Sequence, residues 1–141
     1  MTLIFRNEKE FQIMWDRFLS ENSNASWLYL PKFLEYQLIY SKLPKKNDIS
    51  FVLKAQDGPV AICPLFLNNH DNNLSFSWLD YDGYILSPLI KSSLHPNYKK
   101  KVEKLCYETI DELAYKYKVT TFKLRVFYFF PQIIKIIINL P

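Results

Sequence analysis

The chain opens on Thr2 to Arg6, a short apolar run suited to a strand, and passes at once into a helical period. Phe11, Met14, Trp15, Phe18 and Leu19 fall at i, i+3, i+4, i+7 and i+8 and so share one face. Asn7-Glu8-Lys9-Glu10 ahead of them has the spacing of a capping box, and Asn22-Ser23-Asn24 supplies a stop. Pro31 suits the first position of a second helix, with Phe33, Leu34, Gln37 and Leu38 on one side and Tyr36 and Tyr40 on another, closing before Pro44. A polar link from Pro44 to Asp48 then separates helix from sheet.

From Ile49 the pattern changes to that of strands. Ile49 to Ala55 and Val60 to Leu67 are β-branched and apolar, and Gln56-Asp57-Gly58-Pro59 between them predicts a hairpin turn. Asn68 to Asn73 reads as a polar loop, after which Leu74 to Leu79 alternates with period two, as a half-buried strand does. Asp80-Tyr81-Asp82-Gly83-Tyr84 interrupts this antiparallel meander, Ile85 and Leu86 continue it, and Pro88 ends it. Pro96 leads into the longest helix, whose stripe runs through Tyr98, Val102, Leu105, Cys106, Thr109, Leu113 and Tyr117, opposite the pairs Lys104 with Glu108 and Glu112 with Lys116. The strand Thr120 to Val126 follows, and a helical crossover places it parallel to a neighbour. Residues 127–141 differ from the rest. Phe127 to Phe130 is purely aromatic, and the Ile-rich stretch Ile133 to Ile138 is open to two readings, a final strand or a fragment end.

A chain of 141 residues affords one core. Aromatic residues make up 17% of it, so the core is bulky and Tyr or Trp is expected at some concave surface. The net charge of +4 is modest and the arginines are only Arg6, Arg17 and Arg125, which argues against a DNA-binding role. The run Lys99-Lys100-Lys101 fits the solvated start of a helix. Cys63 and Cys106 have no CxxC spacing and only His70 and His95 as imidazole companions, so no metal site is expected and a reducing compartment is. With no secretion signal and no apolar run of membrane-spanning length, the expected location is the cytoplasm.

The order strand, helix, helix, strand, strand, strand, helix, strand matches the GNAT acyltransferase fold through its fifth strand. The local wording adds to it: Phe11, Trp15 and Phe18 in the first helix, Asn24-Ala25-Ser26, the tyrosine-bearing second helix, Phe51-Val52-Leu53 before Gly58, Val60-Ala61-Ile62-Cys63-Pro64-Leu65, and Leu79-Asp80-Tyr81. Over residues 3 to 126 these features resemble the N-terminal half of FemAB-like proteins, relatives of the aminoacyltransferases that build peptidoglycan interpeptide bridges. The resemblance implies an α/β class with a mixed α+β sheet, a GNAT-like three-layer fold with an antiparallel meander flanked by helices, here incomplete. It divides the chain into a GNAT-like domain, 1–126, and a tail, 127–141. It also implies a bacterial transferase acting on an amine of a cell-envelope precursor, with a second GNAT-like domain or downstream chain as partner.

GNAT enzymes grip the pyrophosphate of acyl-CoA with backbone amides of a glycine-containing loop before the long helix. Here Ser87 to Pro96 holds no glycine and two prolines, and the only glycines of the chain, Gly58 and Gly83, lie in turns. No cofactor is therefore expected on this chain itself, and acyl-CoA or aminoacyl-tRNA is the expected co-substrate through the partner domain. Asp80, Asp82 and Tyr84 are the candidate catalytic residues: either carboxylate can take a proton from an amine nucleophile, and the phenol can protonate a leaving group. The same residue types are also ordinary turn formers. Tyr81, Trp78, Trp27 and His95 are the candidate substrate-binding residues, core packing and a helix start being the alternatives for the tryptophans and the histidine. A non-catalytic binding module, or an inactive truncated remnant of the same fold, is the competing expectation.

Overall fold

The computed structural model describes the chain except for residues 24, 41–46, 71–72, 79–80, 83, 120, 128–130 and 138–141; for residues 70, 73, 78, 81, 82, 84, 121–127 and 131–137 it describes the backbone. In chain order the elements are β1 (Thr2–Phe5), α1 (Phe11–Ser20), a 3-10 turn (Trp27–Tyr29), α2 (Pro31–Tyr40), β2 (Asn47–Asp48), β3 (Phe51–Ala55), β4 (Gly58–Cys63), β5 (Phe66–His70), β6 (Asn73–Trp78), β7 (Tyr81–Asp82), β8 (Tyr84–Leu86), β9 (Leu89–Ile90), α3 (Pro96–Lys116), β10 (Thr121–Phe127) and β11 (Pro131–Ile137). They form a mixed α+β protein. Two sheets are antiparallel, in the orders β1-β3-β4-β9 and β2-β5-β6-β7, and a third has the order β11-β10-β8. In the third, β10 runs parallel to β8 across the α3 crossover, as the order of elements predicts, and antiparallel to β11.

The α1 stripe buries Phe11, Trp15 and Phe18 as its period requires. The helix starts later than the capping box predicts, with Glu10 at the N-cap and no side-chain cap. Both carboxylates of that motif are used elsewhere: Glu8 Oε1 accepts from the Phe5 amide at 2.7 Å, and Glu10 pairs with Lys54 on β3 at 3.1 Å. Pro31 opens α2 as expected. Gly58 closes the β3–β4 turn at φ +130°, where a side chain would be strained, and the Arg17 guanidinium packs within 3 Å of where a Cβ would stand. Arg17 Nη2 also donates to the Asp57 carbonyl at 2.9 Å, so α1 clamps this turn.

The first sheet is buried on both faces, which explains why β4 reads as a continuous apolar run. Phe51, Leu53, Ala61 and Cys63 pack with Val102, Cys106 and Ile110 of α3, while Val52 and Ile62 pack with Phe11, Trp15 and Phe18 of α1. The sheet is thus the middle of three layers. On α3 the Lys104–Glu108 pair closes at 3.5 Å on the exposed side.

Several boundaries depart from the expectation. Val60 to Leu67 is not one strand: β4 ends at Cys63, and β5 starts at Phe66 in the second sheet. The opposite strand breaks at the same level, between Asp48 and Phe51, where Ser50 holds the two sheets together. Its amide donates to Asp48 Oδ1 (2.9 Å), its Oγ accepts from the Leu65 amide (3.0 Å), and its carbonyl accepts from the Arg6 amide (3.0 Å). The polar run 68–73 is strand at both ends, because β5 extends to His70 and β6 begins at Asn73. The polar side of β6 is not wet throughout, since Ser77 is as buried as Phe76. Pro88 interrupts a strand without ending it, because β9 follows. Of the tail, Pro131–Ile137 forms β11 against β10.

Burial strands two polar side chains. Neither the amide of Asn68 nor the hydroxyl of Ser77 has a hydrogen-bond partner among the described residues, and each such group costs about 1–3 kcal/mol. Replacing Asn68 by the near-isosteric Leu is therefore expected to raise unfolding free energy by about 1–3 kcal/mol in urea titration. A loss of stability would mean that the amide is satisfied in solution.

Candidate functional site

The segment from Tyr84 to Ile90 belongs to two sheets. Its first half, β8, pairs parallel with β10 (Tyr84 with Lys123, Leu86 with Arg125), and its second half, β9, pairs antiparallel with β4 (Leu89 with Ile62, Ile90 with Ala61). Ser87 and Pro88 lie between. Pro88 has no amide to give a neighbour, and the Ser87 carbonyl is taken by a side chain: Tyr29 Oη donates to it at 2.8 Å. Tyr29 stands at the end of the 3-10 turn, whose start is capped by Ser26, and its own carbonyl accepts from Trp15 Nε1 at 2.9 Å. Trp15 is fixed in the core by the α1 period, so the relay Trp15–Tyr29–Ser87 locks the partner change to α1. Burial pushes the Tyr29 phenol up, so it stays a donor throughout the physiological range.

Beyond β9 the chain reaches α3 through residues 91–95, and this connection is tied to the end of α1. Lys91 pairs with Glu21, and the Ser92 amide donates to Asn22 Oδ1 at 3.1 Å. Asn22 is itself buried, its Nδ2 donating to the Phe18 carbonyl at 2.8 Å. The Lys91 amide donates to the Val60 carbonyl at 2.9 Å and the Leu94 amide to the Lys91 carbonyl at 3.4 Å. Three amides of the connection are thus engaged within the protein, and Pro88 and Pro96 have none to offer. The hydrogen bonds to Lys91 and Arg17 hold the Glu21 carboxyl below its ordinary value of 4.5.

The predicted site residues are only partly brought together. Trp78 pairs with Tyr81, and Asp82 with Ser77, in the β6–β7 ladder at the edge of the second sheet, whereas Tyr84 begins β8 in the third. Asp80 lies outside the described residues, as does Gly83. Trp27 is two residues from Tyr29 and mostly exposed, its ring edge-on to Phe33 at 4.6 Å. Phe33 stacks on Tyr36 and Tyr36 contacts Tyr40, so an aromatic row runs from Trp27 along exposed α2. His95 is exposed at the N-cap of α3, and its side chain makes no capping bond. Cys63 and Cys106 are free and buried, and burial raises both thiols, Cys106 to about 12, so neither is a nucleophile at neutral pH. No group of three potential metal ligands occurs among the described residues, and no helix among them is long and apolar enough to cross a membrane.

Tyr29, Ser87, Asn22 and the Glu21–Lys91 pair are the positioning residues that reading the sequence misses. A Tyr after Trp-Leu and an Asn after a helix are each commonplace, and no spacing marks their partners some 58 to 70 residues away. Comparison of the chain with protein-family models, with curated proteins and with solved structures finds no match in any of the three.

Two outcomes check this geometry. Tyr29→Phe leaves the Ser87 carbonyl without its donor and is expected to lower unfolding free energy by about 1–3 kcal/mol in urea titration; a change within 0.5 of zero, on the order of a surface substitution, would contradict the relay. Because Glu21 has a depressed folded-state pKa, its stabilising effect is full above its unfolded value and is lost as pH falls through the folded one. The stability gap between wild type and Glu21→Gln should accordingly be present at pH 7 and close on acidification, as read from urea midpoints across that range.

Proposed function

We propose that this chain is the acceptor-recognising part of a GNAT-type N-acyl or aminoacyl transferase, with an amine of a cell-envelope precursor as acceptor. The observation that carries the fold reading is the partner change at Ser87–Pro88. A strand that lies parallel to β10 across a helix and then leaves it for β4 changes sheets in mid-course, and a GNAT-type fold opens its substrate cleft at the end of such a strand. The acceptor class rests on the resemblance to FemAB-like proteins.

The donor, acyl-CoA or aminoacyl-tRNA, is held by a second GNAT-like domain. Support comes from the 91–95 connection, three of whose five amides are spent on Val60, Asn22 and Lys91. In the reaction the amine nitrogen attacks the acyl carbonyl carbon, and the tetrahedral oxyanion collapses with departure of the thiolate or the ribose hydroxylate. Asp82 or Asp80 takes the proton the amine loses, and Tyr84 gives one to the leaving group. Trp78, Tyr81, Trp27 and His95 are assigned to acceptor binding. Exposure of Trp27 at the head of the α2 aromatic row supports this for the acceptor or for the second domain. The same exposed row also suits a non-catalytic binding module.

The test compares the purified chain with the chain extended by its adjoining reading frame, measuring binding of CoA and aminoacyl-tRNA and transfer to amine acceptors. The expected result is transfer by the extended protein, lowered about 10²–10⁴-fold by Asp82→Asn with Asp80→Asn, and no CoA retention by the chain alone. Micromolar CoA affinity of the isolated chain would overturn the division of labour. Binding of acceptor without transfer by either form would select the binding module.

A further inference from the structure

A second concavity lies at the far end of α3, about 30 Å along the helix from the 91–95 connection. It is a cavity of about 360 Å³ where the end of β1, the β2–β3 break and the last turn of α3 meet. That volume falls within the range of small-molecule sites. Phe5, Ile49 and Leu113 give it apolar walls, and Tyr117 adds an aromatic ring. Arg6 and Lys116 bring two cations to its lining, with the amides of Asn7 and Asn47 beside them.

Asp48 is the only acid among the described lining residues, and its charge is already spent. Its Oδ1 accepts from the Ser50 amide at 2.9 Å, and its Oδ2 faces Arg6 Nε at 3.3 Å, with the side chain only 9% exposed. Asp48 therefore acts inward, fixing Arg6. The guanidinium is held on two further sides, by Gln12 Oε1 at 2.8 Å from Nη1 and by the Phe11 ring beneath it, which leaves Nη2 unengaged among the described residues. Lys116 makes no ion pair among the described residues; its ammonium stands over the Tyr117 ring at 5.3 Å. Arg6, its guanidinium fixed, and Lys116, its ammonium free of ion pairs among the described residues, thus both line one apolar-walled cavity with no unneutralised acid among its described lining residues. Three of the last carbonyls of α3 are hydrogen-bonded within the protein. Those of Leu113, Ala114 and Tyr115 accept from the Tyr117, Val119 and Lys118 amides, with Lys118 in the left-handed conformation at φ 56°.

We propose that the Arg6–Lys116 cavity is a binding site for a small organic anion, a carboxylate or phosphate monoester with a compact aromatic or branched apolar body. The anionic group pairs with Lys116 Nζ and Arg6 Nη2, and the body displaces water from Phe5, Ile49, Leu113 and Tyr117. Both parts are needed, because an exposed ion pair alone contributes little.

The test titrates the protein with benzoate, phenyl phosphate and inorganic phosphate, read by amide chemical shifts and calorimetry. Benzoate or phenyl phosphate should bind with a Kd of about 10 μM to 1 mM and shift the amides of Phe5, Ile49 and Leu113, the stronger of the two naming the anion class. Lys116→Met, an exposed substitution, should weaken binding about tenfold or more, and Lys116→Arg should restore most of it. Inorganic phosphate binding as tightly as the aromatic anions would overturn the role of the apolar walls. Shifts elsewhere, an unaffected Kd in Lys116→Met, or no binding by either aromatic anion at 10 mM, roughly the weakest affinity of interest, would each overturn the site.

Discussion

A buried strand that changes partners sets free a carbonyl or an amide, and each such group has to be satisfied within the protein. The architecture follows from how this constraint is met. At the first break Ser50 uses amide, hydroxyl and carbonyl to join β1, β2 and the start of β5, and the Ile49 amide beside it donates to the Leu65 carbonyl. At the second, Pro88 removes a donor outright and the Tyr29 hydroxyl supplies the other. A tyrosine reaches that position because the Trp15 indole holds its carbonyl from below. The helix on one face of the sheet thereby determines where a strand in the sheet breaks.

The two ends of α3 emerge with different chemistry. Its N-terminal approach is tied to the end of α1, where Glu21 pairs with the Lys91 ammonium and Asn22 accepts from the Ser92 amide. Its C-terminal end is closed by its own backbone, leaving Lys116 to face the cavity with Arg6. A rigid helix of 21 residues keeps these surfaces apart, so chemistry at one need not intrude on the other.

Periodicity carries much of the fold. The stripe from Phe11 to Leu19, Pro31 at a helix start, the turn at Gly58 and the parallel return of β10 after α3 are all legible, because each depends on burial or on local backbone geometry. Partner choice is not. Val60 to Leu67 is uniformly apolar although it serves two sheets, and nothing local distinguishes a proline that ends a strand from Pro88, which divides one. Asn68 misleads in the opposite way, since polar residues in a row suggest a loop while this one is wholly buried. At the site, Asp82 and Tyr84 fall in β7 and β8, neighbouring elements of different sheets, and no residue type announces that change of sheet. Asp48, dismissed as part of a polar link, anchors a cavity lining because its partner Arg6 arrives from another strand.

The two thiols acquire a meaning from their position. Cys63 on β4 and Cys106 on α3 belong to the same core cluster, between the sheet and α3, and not to the one beneath α1. An alkylating reagent can meet them only when that layer parts and can react only after a buried proton is lost. Their rate of modification is thus a clock for the lifting of α3 from the sheet.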